Sequence, residues 1–301
     1  MSLTAESQAG GESLWARRVA RRARRRSVTR TVVVGRTPLR IAIRAGTGSG
    51  PPLLLANGIG ASLETFDPLL AALDPAIEVI RFDVPGVGGS PLPPRPYRFG
   101  GLAHLLAGLL DHLGHDQADI LGISWGGALA QQFALSERRR CRRVVLVATG
   151  TGALMVPASP WVLTTLATPR RYLDPGFTRR VAGQLYGGTA RQDPEQVAGV
   201  LHRWTRVGPS RGYLYQLAAG SGWTSLPLLP LLRQPTLVLA GDDDPIIPHV
   251  NGRILASLIP HARLHTYPGG HVELVLRPAM LAPLISEFLT ETEPGPPSAG
   301  R

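Results

Sequence analysis

Short apolar runs recur along most of the chain and are separated by longer stretches with helical spacing. Runs of four to six residues without alternation are typical of strands buried on both faces. The strands predicted in this way cover residues 53–56, 78–83, 120–123, 144–147, 236–240 and 263–267. Apolar residues three or four apart predict intervening helices near residues 102–113, 250–258 and 279–289. This alternation predicts an α/β fold with a mostly parallel central sheet and helices on both faces.

Two further strands are predicted before the first buried run. Residues 28–34 and 39–44 flank Gly35-Arg36-Thr37-Pro38, which indicates a hairpin. In the second strand, apolar residues at 39, 41 and 43 alternate with Arg40, Ala42 and Arg44. That alternation predicts one face toward the core and one toward solvent.

The segment GISWGG at residues 122–127 follows an apolar strand and opens a helical run. A serine at the apex of a sharp strand–turn–helix is the context of a nucleophile elbow. Gly122 and Gly126, two residues on either side of Ser124, leave room for the turn and for close approach of the helix to the strand. We therefore expect Ser124 to be a nucleophile of the α/β-hydrolase type.

A serine nucleophile needs a base and a group that orients the base. In this fold the acid and then the histidine follow the serine along the chain. Residues 236–240 run into Gly241-Asp242-Asp243-Asp244, and residues 263–267 run into Pro268-Gly269-Gly270-His271. His271 is the expected base. Asp244, before a proline, is the expected orienting acid, and Asp243 is the alternative.

The tetrahedral intermediate of acyl transfer needs two fixed N–H donors. The residue after the nucleophile, Trp125, is expected to supply one. The loop after the first parallel strand, Asn57-Gly58-Ile59-Gly60, is expected to supply the other through Ile59. Asp83, in a Gly-rich turn after another strand, is interpreted as a turn former.

Residues 152–230 interrupt the alternation and are rich in aromatic residues, so we expect a helical cap inserted into the core. The hydrolase core is then residues 28–151 and 231–290. Within the cap, Trp161, Trp204 and Trp223 are candidates for contacts with substrate, as is Asn57 in the core. Residues 1–27 and 291–301 are expected to be disordered tails.

The net charge of +11 is concentrated at the start of the chain, where residues 1–30 hold eight Arg and two Glu. This segment is either a disordered tail or a basic segment that contacts an anionic surface. No hydrophobic region follows it as in a signal peptide, and no apolar run reaches the length of a membrane span. The single cysteine, Cys141, fits a reducing compartment. The chain lacks metal-ligand and phosphate-loop spacings, so no cofactor or metal is expected. The basic segment lacks interleaved aromatic residues, so nucleic-acid binding would rest on charge alone and no nucleic-acid partner is expected.

Several motifs together resemble one family, the intracellular medium-chain-length poly(3-hydroxyalkanoate) depolymerases. They are LLANGIGASLE at 54–64, VIRFDVPGVGGS at 79–90, GISWGGALAQQF at 122–133, LAGDDDP at 239–245 and, in the cap, GSGWTSL at 220–226. The resemblance runs from about Pro51 to about Leu289. It implies attack by Ser124 on an ester of an aliphatic polyester, through an acyl-enzyme that water activated by His271 resolves. It also implies a cytoplasmic enzyme that works on storage granules.

Other functions use the same residues. The alternatives are a carboxylesterase or lipase-like hydrolase of small esters, a carbon–carbon bond hydrolase of ring-cleavage products, and an aminopeptidase with a Ser-Trp-Gly elbow. A non-catalytic ligand-binding module on the same fold is a further alternative. That reading requires a missing member of the triad, whereas this sequence has a candidate for every role.

Overall fold

The structure, a computed structural model, describes residues 27–204 and 208–291, with the side chains of residues 203 and 204 left out. In these ranges the chain forms an eight-stranded sheet in the order β1-β2-β4-β3-β5-β6-β7-β8. The strands are β1 (Ser27–Val34), β2 (Thr37–Arg44), β3 (Leu53–Ala56), β4 (Val79–Phe82), β5 (Ala118–Ile123), β6 (Cys141–Val147), β7 (Thr236–Gly241) and β8 (Ala262–Tyr267).

The strands from β4 through β3 to β8 pair in parallel, whereas β1–β2 and β2–β4 pair antiparallel. The predicted α/β class with a mostly parallel sheet is confirmed. The predicted hairpin is also present, but its turn is only Gly35-Arg36, because Thr37 and Pro38 already pair with Val34 and Val33. Gly35 takes the left-handed conformation, with φ of 60°, that such a short turn needs.

Helices connect the parallel strands and cover both faces of the sheet. The α-helices are α1 (Asp67–Ala72), α2 (Phe99–Leu113), α3 (Trp125–Ser136), α4 (Pro160–Leu166), α5 (Arg170–Leu173), α6 (Pro175–Tyr186), α7 (Thr189–Gln192), α8 (Pro194–Trp204), α9 (Ser210–Gly220), α10 (Val250–Leu258), α11 (Glu273–Leu276) and α12 (Pro278–Thr290). Two 3₁₀ helices, Leu63–Phe66 and Leu226–Leu231, lie between them.

Successive residues of the central strands face opposite cores, which is why these strands read as unbroken apolar runs. In β3, Leu54 and Ala56 pack with the residues of α2, α3 and α10 on one face. Leu53 and Leu55 pack with α1 and α12 on the other face. This arrangement brings the C-terminal ends of the parallel strands, and the loops that follow them, to one edge of the sheet.

The predicted solvent-facing side of β2 is wrong at Ala42 and Arg44, which are both buried. The Arg44 guanidinium donates to the carbonyl oxygens of Leu70, Asp74 and Ile77, the last two at 2.8 Å. These carbonyls lie at the end of α1 and in the loop that follows it. Since the guanidinium finds acceptors there, the side chain is buried although the pattern reads as polar.

The chain between β6 and β7, which we call the insert (residues 148–235), is helical and has its own cluster of buried apolar residues. Its two ends meet at a β-bridge between Gly152 and Thr224. The predicted N-terminal tail lies outside the described residues except for Ser27, and the C-terminal one except for Glu291. Within the described ranges, no helix is both long and apolar enough to cross a membrane.

Candidate active site

Ser124 lies between β5 and α3 in a strained conformation, with φ of 54° and ψ of −120°. A non-glycine residue adopts a positive φ only where the surrounding structure holds it. Here the turn is tight because Gly122 packs against Gly126, and Gly126 packs against Ala56 of β3, with no room for a Cβ at either position. The local geometry is that of a nucleophile elbow.

Asp244 and His271 lie side by side on the loops that follow β7 and β8. The Oδ2 atom of Asp244 accepts a hydrogen bond from Nδ1 of His271 at 2.8 Å, and both side chains are buried. Oδ1 of Asp244 accepts from the backbone N–H groups of Ile246 and Ile247, each at 2.9 Å. These bonds fix the carboxylate and place the imidazole proton on Nδ1, so that Nε2 is the basic nitrogen.

The two neighbouring aspartates have other partners. Asp243 pairs with the guanidinium of Arg191, at 2.7 and 2.9 Å, and accepts from the N–H of Gly188. The Arg191 guanidinium lowers the pKa of Asp243. Asp242 accepts from the N–H of Gly269. Asp244 is therefore the member of this group that contacts His271.

Ser124 and His271 line the same cleft, which holds about 660 Å³ of space including its open mouth. No hydrogen bond joins the Ser124 hydroxyl to His271 in the described structure. Catalytic hydrogen bonds are often long without a ligand and tighten when one binds. The geometry thus places Ser124 and His271 at one cleft and connects His271 to Asp244.

The loop after β3 lies against the elbow. The side chain of Asn57 shapes this loop, because Nδ2 donates to the carbonyl of Ser62 and Oδ1 accepts from the N–H of Gly58. The N–H of Ile59 has no acceptor within the described residues. An oxyanion donor needs to be unoccupied in this way, since the ligand supplies its acceptor.

One peptide unit of this loop is held at both ends by the insert. The carbonyl of Ile59 accepts from the Tyr172 hydroxyl at 2.8 Å and from Nη2 of Arg171 at 3.3 Å. The N–H of Gly60, in the same peptide unit, donates to Oε1 of Gln216 at 2.8 Å. The insert therefore fixes the orientation of the loop that carries Ile59.

Trp125 begins α3, where a backbone N–H has no acceptor within the helix. Its indole Nε1 donates to the carbonyl of Gln216 at 2.9 Å, and its ring packs on Phe99 with centroids 4.7 Å apart. Gln216 thus contacts the two segments expected to supply oxyanion donors. Asp83, interpreted as a turn former, is buried and accepts from the N–H groups of Leu63 and Gly89.

The structure does not bring Trp161 or Trp223, two of the three candidate tryptophans of the insert, to the cleft. The ring of Trp223 packs on Phe99, and its Nε1 donates to Gln132. Trp161 is partly exposed on α4 and does not line the cleft. The side chain of Trp204 lies outside the described residues.

The cleft is lined by apolar residues that the sequence patterns did not single out, together with one charged residue, Arg171. The contributions of the insert are Leu166, Arg171, Tyr172, Tyr186, Val197, Val200 and Leu201. The aromatic richness of the insert is a signal that could have found the two tyrosines, but an arginine in a chain with 32 basic residues gives no signal of its own. Within the described ranges, no group of three His, Cys, Asp or Glu side chains is arranged as a metal site requires.

Comparisons with known proteins agree with this architecture. The α/β-hydrolase fold family model matches residues 51–278. The chain is 51% identical over 264 residues to a poly(3-hydroxyalkanoate) depolymerase of Ectopseudomonas oleovorans, covering 88% of this chain and 93% of that protein. It is 28% identical to 3-oxoadipate enol-lactonase 2 of Acinetobacter baylyi, over 77% of this chain and 86% of that one.

Among solved structures, the enol-lactonase of Burkholderia xenovorans LB400 superposes with a TM-score of 0.74 at 26% identity, covering 87% of this chain and all of that one. The family resemblance of the motifs is thereby confirmed. The chain belongs to the α/β-hydrolase family and, within it, to the group that includes the poly(3-hydroxyalkanoate) depolymerase of Ectopseudomonas oleovorans.

Proposed function

We propose that this chain is a serine hydrolase that cleaves the ester bonds of poly(3-hydroxyalkanoate). The observation that carries the proposal is the 51% identity to a depolymerase of that polymer over 93% of its length. The site supports it, because a serine elbow, a paired Asp and His, and a largely apolar cleft come together. An apolar cleft suits a polyester whose repeating units carry alkyl side chains.

The proposed reaction uses Ser124, His271 and Asp244 in the usual roles of a triad. The Ser124 hydroxyl attacks the ester carbonyl while Nε2 of His271 takes its proton, and Asp244 stabilises the resulting imidazolium. The C–O bond of the tetrahedral intermediate then breaks, and the leaving alkoxide takes the proton from His271. Water, deprotonated by His271, hydrolyses the acyl-enzyme and releases a 3-hydroxy acid or a short oligomer.

The oxyanion of each intermediate is proposed to accept hydrogen bonds from the N–H groups of Ile59 and Trp125. Loss of one such donor typically costs about 10²- to 10³-fold in kcat. The Ile59 N–H has no acceptor within the described residues, and the adjoining peptide unit is held by Tyr172 and Gln216. This leaves a rigid donor that needs no reorganisation during the reaction.

We propose that residues 152–230 act as a cap over a core made of residues 28–151 and 231–290. The bridge between Gly152 and Thr224 supports these limits, since it closes the insert where it leaves the core. Two further backbone bonds, from Ala153 to Trp223 and from Ser225 to Thr151, reinforce the junction. The cap contributes much of the cleft lining and therefore bears on substrate choice.

A cytoplasmic, granule-associated location is proposed on the same basis as the substrate. The Arg-rich first 26 residues, which lie outside the described residues, are the proposed contact with the granule surface. Anionic surfaces attract basic segments by about 1 kcal/mol per Lys or Arg within a Debye length.

The substrate class is tested by comparing three kinds of substrate. Purified protein is incubated with amorphous polyester granules of medium and short side-chain length, with a panel of small esters, and with a ring-cleavage product. Release of 3-hydroxy acids from medium-chain granules is the expected result. Hydrolysis of small esters alone would favour the carboxylesterase alternative, and turnover of the ring-cleavage product alone would favour the carbon–carbon bond hydrolase.

A further inference from the structure

A buried cation lies in the wall of the cleft. Arg171, at the start of α5, is 2% exposed and lines the same cleft as Ser124 and His271. The residues that line the cleft include no Asp or Glu. Within the described part of the chain, Arg171 forms no ion pair with a carboxylate. Burying a charge is costly unless it is paired, so its position calls for a partner.

The partners that Arg171 does have are neutral. Nη1 donates to the Tyr213 hydroxyl at 2.8 Å and to the Thr168 carbonyl at 3.4 Å, and Nη2 donates to the Ile59 carbonyl at 3.3 Å. The guanidinium also lies over the rings of Tyr172 and Tyr213, 4.6 and 5.4 Å from their centroids. A guanidinium has five N–H donors, so these three bonds leave two donors without a well-placed acceptor in the described structure.

A second polar group in the cleft lacks a well-formed hydrogen bond in the described structure. The Tyr186 hydroxyl is buried at the cleft, and its neighbour there is the Arg171 guanidinium, whose contact with it falls short of good hydrogen-bond geometry. Burial raises the pKa of Tyr186, and the nearby Arg171 partly offsets that effect. The phenol is therefore a neutral donor at neutral pH. A cation with spare donors and a neighbouring hydroxyl that lacks a well-formed hydrogen bond together match the needs of a carboxylate.

We propose that Arg171 and Tyr186 form a subsite that binds the free carboxylate of a 3-hydroxyacyl ligand. The inference rests on the proposed function and deepens it, because a polyester chain carries one free carboxylate, at its end. Binding that end in the cleft directs cleavage to carboxylate-bearing termini. The released 3-hydroxy acid carries the same group, so it competes for the subsite and inhibits the enzyme.

The test measures ligand affinity and not hydrolysis, so its result does not depend on catalytic turnover. The ligands are the dimer of 3-hydroxyoctanoic acid with its free carboxylate and the methyl ester of that dimer. Isothermal titration calorimetry at neutral pH measures Kd for both on the Ser124→Ala protein, which prevents cleavage. Since hydrogen bonds to charged groups are worth more than neutral ones, we expect the free acid to bind about 10- to 100-fold more tightly than the ester.

Two further substitutions on that background assign the preference to the site. Arg171→Gln is expected to reduce the ratio of the two Kd values to about 1. Arg170→Gln is the matched control, since Arg170 is the neighbouring residue, 57% exposed and paired with Asp174, and it should leave the ratio unchanged. Tyr186→Phe should lower the ratio by about threefold through loss of one hydrogen bond. This variant tests the proposal if the Arg171→Gln protein does not fold.

Equal affinity for acid and ester in the Ser124→Ala protein would overturn the proposal. An equal loss of both affinities in Arg171→Gln would also overturn it, because Arg171 would then only support the Ile59 loop. The proposed function has a separate outcome. If granules release no 3-hydroxy acid while the acid dimer binds through Arg171, the carboxylate subsite stands and the polyester assignment fails.

Discussion

The peptide unit between Ile59 and Gly60 is held by three side chains of the insert, and these contacts predict how the insert influences catalysis. Tyr172→Phe removes the hydroxyl that donates to the Ile59 carbonyl and leaves the longer bond from Arg171. Gln216→Leu removes the acceptor of the Gly60 N–H. Both changes loosen the loop that carries the Ile59 N–H without removing that donor.

The expected magnitudes follow from the bonds that are lost. A single hydrogen bond contributes about 1 kcal/mol, which corresponds to about a fivefold lower kcat for Tyr172→Phe if the loss falls on the transition state. Gln216→Leu leaves a part-buried N–H unsatisfied at about 2 kcal/mol, or about 30-fold. Loss of a whole oxyanion donor, about 10²- to 10³-fold, is the upper limit. The double variant should lose less than the product of the single losses, because both side chains hold the same peptide unit.

The assay is steady-state hydrolysis of a soluble octanoate ester, with kcat and KM determined separately. Tyr215→Phe is the control, since it removes a phenolic hydroxyl from the same helix as Gln216, where the ring contacts Tyr97. It should leave kcat within about twofold, because the half-buried Tyr215 makes no side-chain hydrogen bond within the described residues and its hydroxyl holds no part of the Ile59 loop. A raised KM at unchanged kcat in Tyr172→Phe would refute the reasoning, since the loop would then bind substrate without stabilising the oxyanion.

Three other predictions concern the aspartates of the site, Trp223 of the insert and the N-terminal segment. Asp244→Asn should lower kcat by about 10⁴-fold, because the imidazole loses its tautomer, whereas Asp243→Asn should retain most activity; the opposite ranking would move the role to Asp243. Trp223→Ala should lower the free energy of unfolding by about 3 kcal/mol, because packing on Phe99 is lost, and should leave the preference among ester chain lengths unchanged. A loss of activity on long-chain esters alone would show that Trp223 contacts the substrate. Removing residues 1–26 should leave small-ester hydrolysis unchanged and weaken co-sedimentation with granules at low salt only; equal binding at every salt concentration would exclude a role in docking.

The sheet could be predicted closely because its central strands are buried on both faces. Their apolar runs have few alternative explanations, and the observed strands differ from the predicted ones only at their ends. The run at 78–83 is observed as β4 (Val79–Phe82), and Asp83 belongs to the following turn, where its side chain accepts from the N–H of Gly89. Arg44 was misread because a periodic pattern cannot show that carbonyl acceptors lie within reach of a polar side chain.

The candidate triad could be located because each member follows a strand, and strand ends converge at one edge of the sheet. The structure places Asp244 against His271 and leaves Asp243 on Arg191, a choice that the sequence left open. The cleft wall could not be predicted in this way. Its residues come largely from helices of the insert whose positions depend on tertiary packing. A pattern of aromatic residues also cannot show that the ring of Trp223 packs on Phe99 and does not line the cleft.

The central claim is that Ser124 attacks a backbone ester of the polyester and carries the acyl group. Rapid quenching of the enzyme with a medium-chain 3-hydroxyalkanoate oligomer, followed by mass spectrometry of its peptides, measures this directly. The account predicts that the peptide containing Ser124 gains a 3-hydroxyacyl group, which disappears as acid is released and is absent from Ser124→Ala. Acylation of a different residue, or steady release of acid by Ser124→Ala, would contradict it.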